Sequence, residues 1–470
     1  MDEAALCYAP AVVLAREIRS KRLSPLELTE AVLRRIEALN PKINAFATFL
    51  PEAARDAAKA AEAKLAAGEP LGPLHGIPIT IKDLTWTAGI PTEYGSHLRA
   101  GFVPPEDAPL VARLKAAGAI VLGKTTTPEF GWCGLSRSPR SGITHNPWRP
   151  GLNAGGSSAG AAAAAACGFG PLHHGSDGAG SIRMPAHFCG VAGLKPTYGR
   201  VPNWPLSNND YTTHNGPIAR TVADLALMLE VMAGPHPWDH SSAEAPPLPY
   251  TAELGRGVRN RRIAFSPDLG HARVDPEVAE CVRQAAAVFA TDLGAHVEEV
   301  VPSWAAEGPE LIRFFWPAHL AIHAPQLPAW QTRMDPGLVA CIRAAEPFSL
   351  LDYLRMRERK YSYINAISRF FEDWDFLLTP AVSVPAFPPE RVRPADWPEH
   401  AWDWIAWAEF SYPFNFAGNP AISVPCGWTR EGLPVGLQIV GRRFDDSGVL
   451  QAAAAFEAAR PWSDRRPPLL

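Results

Sequence analysis

Two short stretches rich in glycine and serine stand closest to recognisable chemistry, Gly155-Gly156-Ser157-Ser158-Ala159-Gly160 and Gly175-Ser176-Asp177-Gly178-Ala179-Gly180-Ser181-Ile182-Arg183. Glycines let a backbone turn with positive φ and approach a ligand, and successive N–H groups in such a turn form a concave nest for negative charge. A serine at the end of that nest, Ser181, has the features of an acyl-transfer nucleophile beside an oxyanion hole. Between the loops, Ala161 to Cys167 reads as a buried alanine-rich helix that presents them near one another. Glycine and serine also mark ordinary flexible loops. Two clusters flanking one apolar helix favour a built site, and neither has the G-x-x-x-x-G-K-[ST] spacing of a phosphate-binding loop.

A third residue joins them from upstream. Ile77-Pro78-Ile79-Thr80-Ile81 is β-branched and apolar, predicts a buried strand, and runs straight into Lys82. Most lysines are solvated surface charges. One at the end of a buried strand is desolvated, which lowers its pKa and leaves it partly neutral, as a general base requires. Further on, Gly118 to Thr125 matches the phosphate-loop expression letter for letter. Its intervening residues, Ala119 to Leu122, are apolar and strand-like where that mechanism needs a flexible loop, so a strand is predicted there, with Gly118 capping a helix over 107–117. Adjacent His173 and His174 on a strand point to opposite faces and cannot clamp one metal, so they read as packing residues. No other spacing suggests a metal site.

The rest of the chain must hold these groups in place. Helices are predicted within 11–40, with a start at Ser24-Pro25 and an end at Asn40-Pro41, and over 51–67, 275–293, 305–330, 350–372 and 447–460. Strands are predicted at Arg262–Phe265, His296–Val301, Asp375–Pro385, Gly418–Pro425 and Gly432–Val440. Residues 190–200 read as a turn-rich connection, 216–220 as the lead into a helix, and 234–250 as a proline-rich surface crossing. Trp402, Trp404 and Trp407 fall on a predicted helix and read as core packing, with an apolar acyl pocket as the alternative. Hydrophobic content of 47% and charged content of 20% describe an ordinary globular protein. A net charge of −4 offers no general attraction for nucleic acid or anionic membrane, which favours a small-molecule partner. Seven scattered cysteines without a C-x-x-C pair suggest a reduced, cytoplasmic compartment. Met1-Asp2-Glu3 does not begin a signal peptide, and no stretch reaches the length of a membrane span.

With the two loops and Lys82 assembled, the chain resembles the amidase signature family, whose mark is a Gly/Ser-rich loop followed by a G-[ST]-D-x-[GA]-G-S-[IV]-R loop. The similarity runs from GIPITIKD through HNPWRPGLNAGGSSAG, GSDGAGSIRMPAHFCGVAGLKPTYGRVP and NGPIARTVADLA to GNPAISVPCGW and GLPVGLQIVG. It implies a triad of Lys82 as base, Ser157 as middle serine and Ser181 as nucleophile, with Ser158 supporting them and a cis Gly156–Ser157 peptide. It implies an oxyanion hole from the N–H groups of Gly178, Ala179, Gly180 and Ser181, with Asp177 and Arg183 holding the loop, and no cofactor or metal. Ala179 departs from the glycine of many members and narrows the pocket floor by a methyl. Met184 stands where glutamine-hydrolysing amidotransferase subunits usually carry Gln, which speaks against that role.

The fold expected is α/β, one large domain with a mixed β-sheet core covered by α-helices. Its signature core spans 72–230, a less distinctive helical and pocket-forming segment 234–400, and C-terminal strands and helix 410–460. The expected activity is hydrolysis of linear carboxylic amides with an apolar or aryl acyl part, extending to esters or carbamates. The alternative is an amidotransferase A-type subunit working with a partner. The oligomeric state is left between monomer and homodimer.

Overall fold

Lys82 ends the strand Pro78–Lys82, every residue of which is buried, and around that strand the sheet is laid out. The structure is a computed structural model and describes residues 2–244 and 248–468. Met1, where the absence of a leader was read, and 245–247 of the expected proline-rich crossing lie outside the described residues. Eleven strands form one sheet: β1 Phe46–Phe49, β2 Pro78–Lys82, β3 Ile120–Thr125, β4 Leu172–Asp177, β5 Ala192–Lys195, β6 His214–Ala219, β7 Arg262–Phe265, β8 His296–Glu299, β9 Phe376–Pro380, β10 Ala421–Trp428 and β11 Pro434–Gly441. Their spatial order is β1-β3-β2-β4-β6-β5-β10-β11-β9-β7-β8. The strands β3, β2 and β4 run parallel, as do β9, β7 and β8, while the pairs between these two groups are antiparallel. The sheet is therefore mixed and helix-covered, the α/β architecture expected.

The alanine-rich helix α1, Ala159–Cys167, is buried along its whole length. Its small side chains permit this: a Cβ on Gly160 would stand 2.1 Å from the carbonyl oxygen of Ala45, so only glycine fits there. Helix α2, Arg183–Cys189, begins two residues after Ser181 and packs on β10 and β11. The interior divides into two clusters. One is aliphatic and alanine-rich, with Ile79, Ile81, Leu122, Ala162 and Ile218. The other is aromatic and gathers Trp132, Trp304, Trp316, Trp404, Trp407, Phe315 and Phe414. The latter is carried mainly by helices α3, Gly308–Leu320, and α4, Leu350–Asp373, and by the segment that follows β9.

Several local expectations need correction. Pro41 does not end its helix, which runs from Pro25 to Ile43 and stops at Asn44 in the left-handed region. The proline leaves the Glu37 carbonyl without its helical donor, and the helix nonetheless continues to the Asn44 cap, whose N–H donates to the Asn40 carbonyl. Residues 190–200 contain β5, a central strand, and 214–219 form β6 with Pro217 inside it. Glycine and proline hid both, since burial on two faces, not propensity, makes these strands. Strand β9 ends at Pro380, and Trp404–Trp407 form a single 3-10 turn. Strand β1 and the helix Pro336–Ala344 had no counterpart among the sequence expectations.

The segment that mimics a phosphate loop is strand β3, followed by no helix that could receive phosphate. Lys124 is fully buried, donating to the Thr85 carbonyl at 2.8 Å and to Thr92 Oγ1 at 2.5 Å, with Asp83 3.9 Å away. It holds the loop after β2 in place. Lys195, also buried, donates to the Asn419 and Pro196 carbonyls.

Candidate active site

The C-terminal end of β2, the turn leading into α1 and the loop between β4 and α2 converge, and the serines and Lys82 meet there. Lys82 Nζ lies 2.7 Å from Ser157 Oγ and 2.9 Å from Ser158 Oγ, and 3.2 Å from the Ser176 carbonyl. Its side chain is fully buried. Burial lowers its pKa from 10.5 to about 7, against an opposing pull from the Asp177 carboxylate. The Gly156–Ser157 peptide is cis. Ser158 Oγ accepts from the Ser176 N–H at 3.3 Å, and the Ser158 N–H donates to the Ser181 carbonyl at 3.1 Å, so the two serine loops are tied to each other. Among the described residues no hydrogen bond joins Ser157 Oγ to Ser181 Oγ, although both line the same cavity.

The loop carrying Ser181 is held from behind. Arg183 forms a two-pronged pair with Asp177, Nε to Oδ2 at 3.0 Å and Nη2 to Oδ1 at 2.9 Å, with both residues fully buried. Burial opposes the Asp177 charge, but the Arg183 guanidinium and hydrogen bonds outweigh it and hold the carboxyl well below its usual range. The same carboxylate accepts from the N–H of Gly180 at 2.6 Å and of Ile182 at 3.1 Å. The Gly180 N–H, one of the expected oxyanion donors, is thereby engaged by Asp177. What Gly180 supplies is its conformation, with φ at +115° and no room for a Cβ beside Ser411 Oγ. Among the described residues the N–H groups of Gly178, Ala179 and Ser181 have no such internal partner.

Sequence reasoning missed the residues that complete this frame. Ser411 Oγ donates to the Ala179 carbonyl at 2.6 Å, and Asn415 Nδ2 donates to the Asp177 carbonyl at 2.9 Å. Arg183 reaches on to the Ser411 carbonyl and Gln438 Oε1. These partners are more than 200 residues downstream and carry no local signal.

A cavity of about 310 Å³ opens over Ser157 and Ser181. One wall is apolar and aromatic, from Leu84, Tyr94, Phe130, Trp316 and His323; the other carries Asn203, Asn209, Thr213 and Asn215. Phe130 and His323 stack with ring centres 4.1 Å apart. Trp316 is fixed by its indole N–H, which donates to the Trp132 carbonyl at 2.9 Å, an acceptor shared with the Trp404 indole at 3.1 Å. Trp404 and Trp407 are fully buried behind this wall, the packing role read first for them. The loop bearing Asn203 and Asn209 is pinned to α4 by the ion pair of Asp210 with the buried Lys360.

The amidase family model matches residues 27–450. The chain is 42% identical to an acylamidase of Rhodococcus erythropolis over 477 residues, 99% of this chain and 98% of that one. The chain belongs to the amidase signature family. Within it, the A-type subunit of the glutamyl-tRNA(Gln) amidotransferase of Chloroflexus aggregans is 37% identical, over 95% of each chain. Among solved structures, a bacterial aryl acylamidase of the amidase signature enzymes superposes with a TM-score of 0.89 at 30% identity, covering 97% of both chains. A 6-aminohexanoate cyclic dimer hydrolase gives a TM-score of 0.90 at 31% identity and 99% coverage of both. As an amidase signature enzyme this protein is an amidohydrolase acting on carbon–nitrogen bonds other than peptide bonds. Among the described residues no helix is long and apolar enough to cross a membrane.

Proposed function

We propose that this chain, working as one catalytic unit, hydrolyses small to medium linear amides with an apolar or aryl acyl part, through a Ser181 acyl-enzyme. The observation that carries the reading is Lys82 Nζ, fully buried and 2.7 Å from the Oγ of Ser157, which lines the same cavity as Ser181. Neutral Lys82 accepts the Ser157 proton, Ser157 accepts that of Ser181, and Ser181 Oγ attacks the amide carbonyl. The last transfer needs Ser181 Oγ to turn toward Ser157 as substrate binds. The N–H groups of Gly178, Ala179 and Ser181 receive the oxyanion, directed by the Asp177–Arg183 pair. Collapse of the tetrahedral intermediate breaks the C–N bond, and the proton held by Lys82 returns through Ser157 to the departing amine. Water then repeats the sequence on the ester and releases the acid. The same steps cleave esters and carbamates. Seven unpaired thiols agree with work in the reduced cytoplasm, as a monomer or homodimer.

A fluorophosphonate probe followed by intact-protein mass spectrometry tests the nucleophile. One adduct on the wild type, absent from Ser181→Ala, is the expected result; an adduct that persists in the variant removes Ser181 from its role. The amidotransferase relatives favour a second reading, in which the chain releases ammonia for a partner. Turnover of a simple arylamide by the purified chain alone decides against it.

A further inference from the structure

The cavity lining carries one full charge. Arg99 is the single Lys, Arg, Asp or Glu among the described lining residues, and the two histidines are neutral. Burial first, and nearby cations second, push His323 down to about 4 and His319 to about 3. Exposure gives Arg99 a position at the rim. It is exposed, as are the lining residues Leu206 and Ile322 at 39% and 58%, whereas Ser157 and Ser181 on the floor are each 3% exposed. Its guanidinium lies over the rings of Tyr94 and Phe102, 5.7 and 5.5 Å from their centres. Aromatic seating of this kind orients the guanidinium and leaves its N–H groups available. Among the described residues Arg99 makes no ion pair, and Glu93 on the same loop is engaged by Arg140 through both carboxylate oxygens at 2.9 Å.

We propose that Arg99 is a specificity-determining residue that binds a carboxylate at the end of the substrate remote from the scissile bond, so that this enzyme prefers amides bearing such a negative charge. A guanidinium presents paired donors that match a carboxylate. The neutral lining between rim and floor offers the anion no competing cation. Solvent at the rim screens the pair, so the advantage is modest, about three- to tenfold. The inference rests on the amidase reading above and names the substrate class within it.

Two matched pairs of probes test it: 4-acetamidobenzoate against acetanilide, with the charge on the amine side, and terephthalic acid monoamide against benzamide, with the charge on the acyl side. The quantity read is the ratio of kcat/KM, charged over uncharged. In the wild type one pair should show a ratio of about three to ten that shrinks at high salt, and Arg99→Gln should bring it to about one. Ratios near one in both pairs, or a preference that survives Arg99→Gln, overturn the proposal. Calorimetric binding of the same probes to Ser181→Ala, with and without Arg99→Gln, separates the two readings. If the wild type turns over none of the probes, the aryl amide substrate reading fails, while the binding ratio still decides for or against Arg99.

Discussion

The floor and the wall of the cavity are built by opposite means. The floor is lined by Ser157, Ser176, Gly178 and Ser181 and backed by Lys82 and the Asp177–Arg183 pair, fixed by hydrogen bonds such as those of 2.6 to 3.2 Å from Gly180 and Lys82. The wall is made of large rings from distant parts of the chain, Phe130, Trp316 and His323, positioned by packing and by single anchors such as the Trp316 indole. Proton transfer and oxyanion binding depend on the direction of a few bonds, so the floor tolerates little change of residue type. An apolar wall depends on volume and shape, which many side chains can supply. On the proposed mechanism the chemistry and the choice of substrate therefore reside in regions that respond differently to substitution.

The largest effect expected is on the floor. Lys82→Met should lower kcat/KM by roughly a thousandfold or more, with an unchanged circular dichroism spectrum. Retained activity would remove the lysine from the mechanism. In the wild type the pH profile follows from the direction of the shift. With its pKa lowered to about 7, Lys82 is protonated below that value and cannot accept the Ser157 proton. Thus kcat/KM should rise about tenfold per pH unit up to that region and level off above it, whereas a flat profile across neutrality would assign the base elsewhere. Asp177→Asn comes next. It leaves the fully buried Arg183 without its counter-charge, which should cost about 3–5 kcal/mol of stability in urea denaturation, together with activity, because one of the two N–H groups of Gly180 and Ile182 then faces an amide NH2 in place of a carboxylate oxygen.

Substitution in the wall should do less and act elsewhere. Trp316→Leu should raise KM for an aryl amide about tenfold while changing kcat little, the signature of lost ground-state contact. A fall in kcat comparable to that of Lys82→Met would erase the distinction between floor and wall.

The same distinction explains what the sequence disclosed. Lys82, Ser157, Ser181 and the Asp177–Arg183 frame lie in two contiguous loops and at one strand end, where residue type and local spacing carry the information. The strands β2, β10 and β11 were legible because they are continuous apolar runs. Strands β5 and β6 were not, since Gly193, Gly216 and Pro217 look like loop residues until a sheet closes over both faces. The Gly180 N–H, expected among the oxyanion donors, donates to Asp177, and the sequence does not reveal which way an N–H points. Trp316, Phe130 and Asn209 were invisible as lining residues, because their meeting is a product of packing between segments separated by many residues. Trp402, Trp404 and Trp407 read first as core packing, with an acyl pocket as the alternative, and Trp404 and Trp407 do lie fully buried behind the wall, while the lining residue Trp316 carried no such signal.

The buried lysines also bear on the protein's behaviour in alkaline solution. In Lys82, Lys124, Lys195 and Lys360 burial disfavours the ammonium form in the folded chain, whereas in the unfolded chain each holds its proton up to its ordinary pKa of 10.5. Unfolding between pH 7 and the ordinary lysine range therefore takes up protons, and stability rises with pH over that interval. The buried thiols act in the opposite sense once the unfolded cysteines begin to ionise near 9.0. From about pH 7 to 9 the lysines dominate, and the urea midpoint should climb as the catalytic base is unmasked. Acidification withdraws both together: the proton that silences Lys82 also loosens the fold that keeps it dry.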